Sequence, residues 1–218
     1  MAVIEISGLS SDARMPLRNE PVQARSTARL SALLDAAAVI IDEIGYERLT
    51  TAMVAERAGA SIGTVYRYFP DRIALLQALA ARNLERVLGQ VVDVIADERY
   101  GSWSDALDAA FGILVAAFRT EPGYRGLRVG DVIDLRPAPT ERTFNSIVAD
   151  HLFDALVARF DLPATDEARF HFELAIEVAD AIAARAFARD PQGARDFLHA
   201  GRELVYPMLA EHFGPASR

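Results

Sequence analysis

A chain of 218 residues with 51% hydrophobic content, a formal net charge of −8 and no cysteine has material for a sizeable buried core, and excludes a disulfide framework, a thiolate metal site and a cysteine nucleophile. The acidic balance argues against a nucleic-acid partner only until it is located. Residues 1–86 carry ten arginines and ten acids, so the whole deficit falls in residues 87–218, and from Arg14 to Arg86 the balance is +2; phosphate contact is a local matter, and such an excess can suffice.

Residues 1–24, with Gly8, Ser10, Ser11, Pro16 and Pro21, show no sustained period and read as a flexible arm. No positive region leads a long apolar run there, so no signal peptide is expected. Nowhere do about 18 apolar residues run without a charge, so no membrane span is expected and the cytoplasm is the expected compartment. Ser26 or Thr27 can cap a first helix whose stripe is Leu30, Leu33, Leu34, Ala37, Ile40, Ile41 and Ile44, ending at Gly45. Arg25 and Arg29 in its first turn are placed to touch a phosphate backbone.

The stretch Leu49–Arg72 predicts two short helices and a tight turn. Thr50 or Thr51 serves as N-cap, Met53, Val54, Ala55 and Ala58 form the apolar face, and Gly59 stops the first helix by taking the left-handed conformation. Ser61 caps a second helix to about Phe69. At 100° per residue Ile62, Val65 and Phe69 share one side, while Gly63, Thr64 and Arg67 project from the other and Tyr66 and Tyr68 flank them. Pro70 ends this helix and Asp71 caps the next. Arg72 sits in that helix's first turn, where a cation gains nothing from the dipole and a phosphate would explain it.

Counted from Thr51, Ala55 stands at position 5, Gly59 at 9 and Val65 at 15. Those are the close-packing positions of a DNA-binding helix-turn-helix, and an αα-hairpin with chance turn residues would not require them together with outward tyrosine and arginine. With the run Tyr66-Arg67-Tyr68-Phe69-Pro70-Asp71-Arg72 and the pair Leu75-Leu76, residues 27–86 resemble the tetracycline-repressor (TetR) family. Beyond that segment no residue-by-residue match is drawn.

A long helix follows from Asp71 toward Ile95, carrying Ile73, Leu76, Leu79, Leu84, Val87, Leu88 and Val91. Ser102 or Ser104 caps the next, with Leu107, Phe111, Leu114, Val115 and Phe118 at helical spacing, broken at Pro122-Gly123. Residues 124–139 read as a short irregular helix and loop. Thr140 caps a helix through Phe160, with Phe144 inward. Pro163 and Thr165 introduce an alanine-rich helix to about Phe187, whose small residues permit close approach on two sides. The last helix holds Phe197 to Phe213, with Pro207 expected to kink or cut it.

The fold class is therefore all-α with about nine helices, divided into an arm (1–24), a three-helix helix-turn-helix head (25–70) and a helical domain (71–218) to which the resemblance assigns ligand binding and dimerisation. The expected function is a DNA-binding repressor that a small apolar or amphipathic ligand releases from its operator. A homodimer through the last two long helices is what the resemblance implies. Arg67 is the candidate base reader. Thr51, Ser61, Tyr66, Tyr68 and Arg72 are the phosphate candidates, and Ile62, Gly63 and Thr64 complete the surface. Phe111, Phe118, Tyr124 and His151 are candidates to line a ligand cavity. His151 near Asp150 and Asp154, and Glu167 four residues before His171, could each begin a metal site. Two ligands do not make one, however, and His199 and His212 add no neighbouring His or Cys, so no metal or cofactor is expected. No nucleophile elbow or phosphate loop marks an enzyme. A helical protein-interaction adaptor and an activator with the same head remain alternatives.

Overall fold

The computed structural model describes residues 20–129 and 144–215. The arm before Glu20, the loop before Pro139, the Thr140 cap and the Phe144 side chain lie outside the described residues. Nine α-helices and one 3₁₀ turn, Tyr46–Arg48, are described, with no strand among them: α1 Glu20–Ile44, α2 Thr51–Arg57, α3 Ile62–Tyr68, α4 Arg72–Ala96, α5 Trp103–Thr120, α6 Tyr124–Val129, α7 Phe144–Phe160, α8 Asp166–Arg189 and α9 Arg195–Phe213. None of these helices is long and apolar enough to cross a membrane.

Local chemistry sets most of the boundaries. Thr50, Asp71, Ser102 and Thr165 each accept a bond from the backbone N–H three residues on, at 3.2, 2.8, 3.1 and 3.1 Å, satisfying one otherwise orphaned donor per helix. One expectation fails and a second is narrowed. α1 begins at Glu20, so Ser26 and Thr27 lie inside it; Pro21 is tolerated in the first turn because its missing N–H has no helical partner there. Of the kink or cut expected at Pro207, the cut is absent, since α9 runs on across it. Pro207 and Glu203, one turn earlier, are both exposed, so the carbonyl that loses its donor can turn to water.

Two hydrophobic cores form. The first gathers α1, α2, α3 and the first half of α4 around Leu33, Ile40, Leu49, Val54, Val65, Leu75 and Leu79, and takes in Leu127 of α6. The second joins the rest of α4 to α5, α7, α8 and α9 around Val91, Trp103, Phe153, Leu156, Phe172 and Leu209. Asn83 of α4 sits between them, 1% exposed, and donates to the Pro122 carbonyl at 3.0 Å. α6 is seated against α1. The Gly123 N–H donates to Asp42 Oδ2 at 3.1 Å, and a β-carbon at Gly123 would lie 3.1 Å from the Ala38 Cα, at a backbone φ of +73°.

That close approach generates a test. Gly123→Ala meets both backbone strain and the α1 main chain and should cost about 1–3 kcal/mol. Gly112→Ala, on an exposed face of α5 with no atom near the added methyl, should instead stabilise by about 0.5–1 kcal/mol. Urea unfolding of both variants checks this, and equal effects would remove the special role of the α1–α6 contact.

Candidate nucleic-acid interface and apolar cavity

α2 ends in a paired backbone motif: the Gly59 N–H donates to the Glu56 carbonyl at 3.1 Å, and the Ala60 N–H to the Ala55 carbonyl at 2.8 Å. Gly59 stands at φ +60°, the left-handed conformation this ending requires. Ser61 then caps α3 through the Thr64 N–H at 3.1 Å and also bonds the Thr64 hydroxyl at 2.9 Å. Val65, fully buried, and Phe69, 4% exposed, anchor α3 to the head; a side chain buried that completely stabilises by about 1.5–3 kcal/mol.

The outward face is open. Gly63 and Arg67 are exposed, Thr64 is partly so, and Tyr66 is 53% exposed. A β-carbon at Gly63 would meet only Ser61 Oγ, at 3.8 Å, so packing does not demand the glycine. Tyr66 accepts from the Thr51 hydroxyl at 3.4 Å. Tyr68 bonds Ser26 in the second turn of α1, with the two hydroxyls 3.0 Å apart, and the Arg67 guanidinium stands 5.3 Å from its ring centroid. The hydrogen bond to Ser26, then that from Arg67, draws the Tyr68 phenol below its usual range.

Two expectations for this face are corrected. Ile62 does not join Val65 and Phe69 in the core but is 43% exposed, because the first turn of this seven-residue helix reaches past the packed face. Arg72 donates to the Tyr46 and Glu47 carbonyls at 3.1 and 2.9 Å. The turn after α1 therefore accounts for its place without a phosphate.

A cavity of about 140 Å³ opens in the second core, lined mainly by aliphatic side chains of α4, α5, α8 and α9, including Leu84, Val91, Leu114 and Leu209. Phe111 and Tyr124 line it as expected. Phe118 does not: it is core, stacked on Phe187 at 4.5 Å and edge-on to Tyr124 at 5.1 Å. His151 does not either. It is exposed on α7, bonded through Nδ1 to the Ile147 carbonyl at 2.8 Å, while Arg169 takes up Asp150 and Asp154 at 2.9 and 2.6 Å. Sequence reasoning missed the polar members of the wall. These are Arg128 of α6 paired with Asp180 of α8, with Asn145 beside them, and Tyr206 of α9 donating to Asp108 of α5, which also pairs with Arg202. Their partners come from distant segments, so no spacing rule could find them. Contrary to expectation, His212 also has a histidine neighbour, His171, with ring centroids 4.2 Å apart.

Residues 33–79 match a family model described as bacterial regulatory proteins, tetR family, and residues 101–213 match one described as the tetracyclin repressor-like C-terminal domain. The transcriptional regulator BetI of Burkholderia ambifaria is 30% identical over 161 residues, 74% of this chain and 73% of its own. The transcriptional repressor KstR of Mycolicibacterium smegmatis is 36% identical over 87 residues, 40% of this chain. The matched segment spans between 28% and 37% of the length of the KstR repressors. The crystal structure of a TetR-family regulator from Streptomyces coelicolor superposes with a TM-score of 0.71 at 34% identity, covering 86% of this chain and 98% of that one.

Tyr124 on the cavity wall gives a pH test. Burial pushes its phenol from 10.0 up to about 12, so the folded state holds the proton where the unfolded chain has lost it. The stability it contributes is complete below about pH 10 and declines as pH rises toward 12, by up to about 2–3 kcal/mol. Tyr206 is pushed the same way, first by burial and then by its bond to Asp108, so the informative quantity is a difference. Denaturation between pH 9 and 11 should show a shallower loss for Tyr124→Phe than for wild type; identical slopes would place the phenol in water.

Proposed function

The chain belongs to the TetR family of bacterial regulatory proteins, and from that membership we propose that it is a dimeric repressor that lets go of operator DNA when a small, largely apolar molecule enters the cavity of its second core. The observation that carries the reading is the outward face of α3. Gly63, Thr64, Tyr66 and Arg67 stand clear of the packing that holds Val65 and Phe69, which is what a helix needs to enter a major groove. In this reading residues 25–70 form the reading head and residues 71–218 the regulatory part, acting in the cytoplasm.

Arg67 reads a base edge; Thr51, Ser61, Tyr66 and Tyr68 hold phosphates; Ile62, freed from the core, offers an apolar contact such as a thymine methyl takes. A second copy docks on the outer side of α8 and α9. The apolar Phe170 and Leu174 of α8 and Leu204 of α9 are 61%, 40% and 61% exposed, and two-fold pairing there would present two recognition helices to half-sites about 34 Å apart.

The effector is an apolar molecule with a hydrogen-bond acceptor. Tyr124, 3% exposed and on the cavity wall, makes no hydrogen bond to the described residues and stays a neutral donor. Tyr124 and Arg128 face the cavity while Leu127, between them, is buried in the head's core, so an occupant that shifts α6 acts on both. Release requires only that the ligand bind the DNA-incompetent arrangement more tightly.

Duplexes selected from a random pool, followed by fluorescence anisotropy at two salt concentrations, test the head. Binding should weaken steeply with salt. Arg67→Ala should lose about 1–3 kcal/mol on the selected site and relax one base position, while Tyr66→Ala should weaken all sequences alike. Equal loss on every sequence for Arg67→Ala would remove its base-reading role, and salt-insensitive or absent binding would remove the DNA reading.

A further inference from the structure

Glu167 and His171 stand one turn apart on α8, and His212 lies in the last turn of α9. One donor atom from each falls within 4.8 Å of the other two. We propose that these three side chains form a binding site for one divalent transition-metal ion of the Zn²⁺ class, fastening the start of α8 to the end of α9.

The donor set fits that class of ion. Two imidazoles and a carboxylate are a recurring three-ligand set for zinc with water in the fourth position, whereas Mg²⁺ and Ca²⁺ favour oxygen donors. A tetrahedral ion with bonds of about 2.0–2.1 Å holds its ligand atoms roughly 3.3–3.5 Å apart. The two imidazoles stand stacked, 4.2 Å apart at 28°, so closing the site takes a turn of the rings as well as a shift of about an ångström, on groups that are exposed or only partly buried.

Two independent features leave histidine nitrogens available to an ion. His171 Nδ1 lies 2.9 Å from the Glu167 backbone carbonyl. A carbonyl can only accept, so Nδ1 carries a proton and, in the neutral ring, Nε2 is the nitrogen with the lone pair, the arrangement in which a backbone oxygen orients a ligating imidazole. His212 Nε2 is shielded from solvent and has no hydrogen-bond partner among the described residues, although the ring as a whole is only partly buried. A lone pair or N–H left so is costly, and coordination would satisfy it. Position helps as well. His212 sits at the carboxyl end of α9, where the helix dipole favours a cation, and the nearby Arg169 guanidinium is directed to Asp150 and Asp154.

The site lies apart from the cavity lining and stands whether or not the repressor reading is right. Its consequence is mechanical: an ion there would hold together the two helices on which the proposed dimer surface lies.

The full-length chain, stripped with a chelator, is titrated with Zn²⁺ by calorimetry, with Mg²⁺ as control. One Zn²⁺ should bind per chain and raise the melting temperature, while Mg²⁺ does neither. His171→Ala and His212→Ala should each weaken binding by at least about 100-fold, since even outer-shell changes at metal sites cost about 10–100-fold. Glu167→Gln should weaken it less, and His199→Ala not at all. Circular dichroism in chelator confirms that each variant is folded, and His212→Asn replaces His212→Ala if the latter is not. Absence of Zn²⁺ binding by the wild type, equal response to Mg²⁺, or binding that survives both histidine substitutions would overturn the site.

Discussion

Helix α4 belongs to two cores, and everything else in the chain hangs on that. Leu75, Leu76, Leu79 and Ala80 are buried with the head, while Leu84, Val87, Val91 and Ile95 are buried with the second core. The change-over falls at Asn83, whose amide reaches the Pro122 carbonyl just before α6. A buried amide N–H is costly to leave unbonded, so this bond sets α4 against the segment leading into α6, while the Asn83 Oδ1 finds no partner among the described residues. Two elements thus touch both cores, and Asn83 joins one to the approach of the other.

The head itself is economical. Its two short helices, seven residues each, are below the length at which a helix is stable alone, so they persist through caps, a left-handed glycine and the burial of Val54, Val65 and Phe69. The Arg57–Glu43 pair ties α2 to α1 at 2.6 Å, but both side chains are about half exposed, and such pairs contribute little. Stability delegated to the inward side chains leaves the outward face of α3 with only local hydrogen bonds to Thr51 and Ser61, and leaves Gly63 with no packing role.

What could be read from the sequence follows the same division between local and distant. Ser61 and Asp71 were legible as caps because the bond each makes reaches only three residues along the chain, and the apolar stripe of α1 because helical periodicity is local too. The carbonyl partners of Arg72 were not legible because they lie 26 and 25 residues away, and a lone arginine in a first turn carries no sign of them. Ile62 followed the helical wheel faithfully, but a wheel does not say where the neighbouring core stops. Phe111 and Phe118 have the same signature at the same spacing, one on the cavity and one stacked on Phe187; an apolar wall and an apolar core are built from the same side chains.

The α8–α9 pair shows how one composition serves two opposed demands. Small residues bring the helices together: a β-carbon at Gly201 would stand only 3.1 Å from Ile182 Cγ2, and Ala175, Ala183 and Ala186 are buried alongside. Helices that close to each other have little room left between them for large apolar groups, and Phe170, Leu174 and Leu204 are left outward. A monomer has no use for such a face, which raises the cost of remaining unpaired. In the proposed dimer the spacing of the two recognition helices is set by how α8 and α9 sit together, so whatever fixes that pair at its ends, as the Glu167–His171–His212 cluster is placed to do, also fixes the reading frame on DNA.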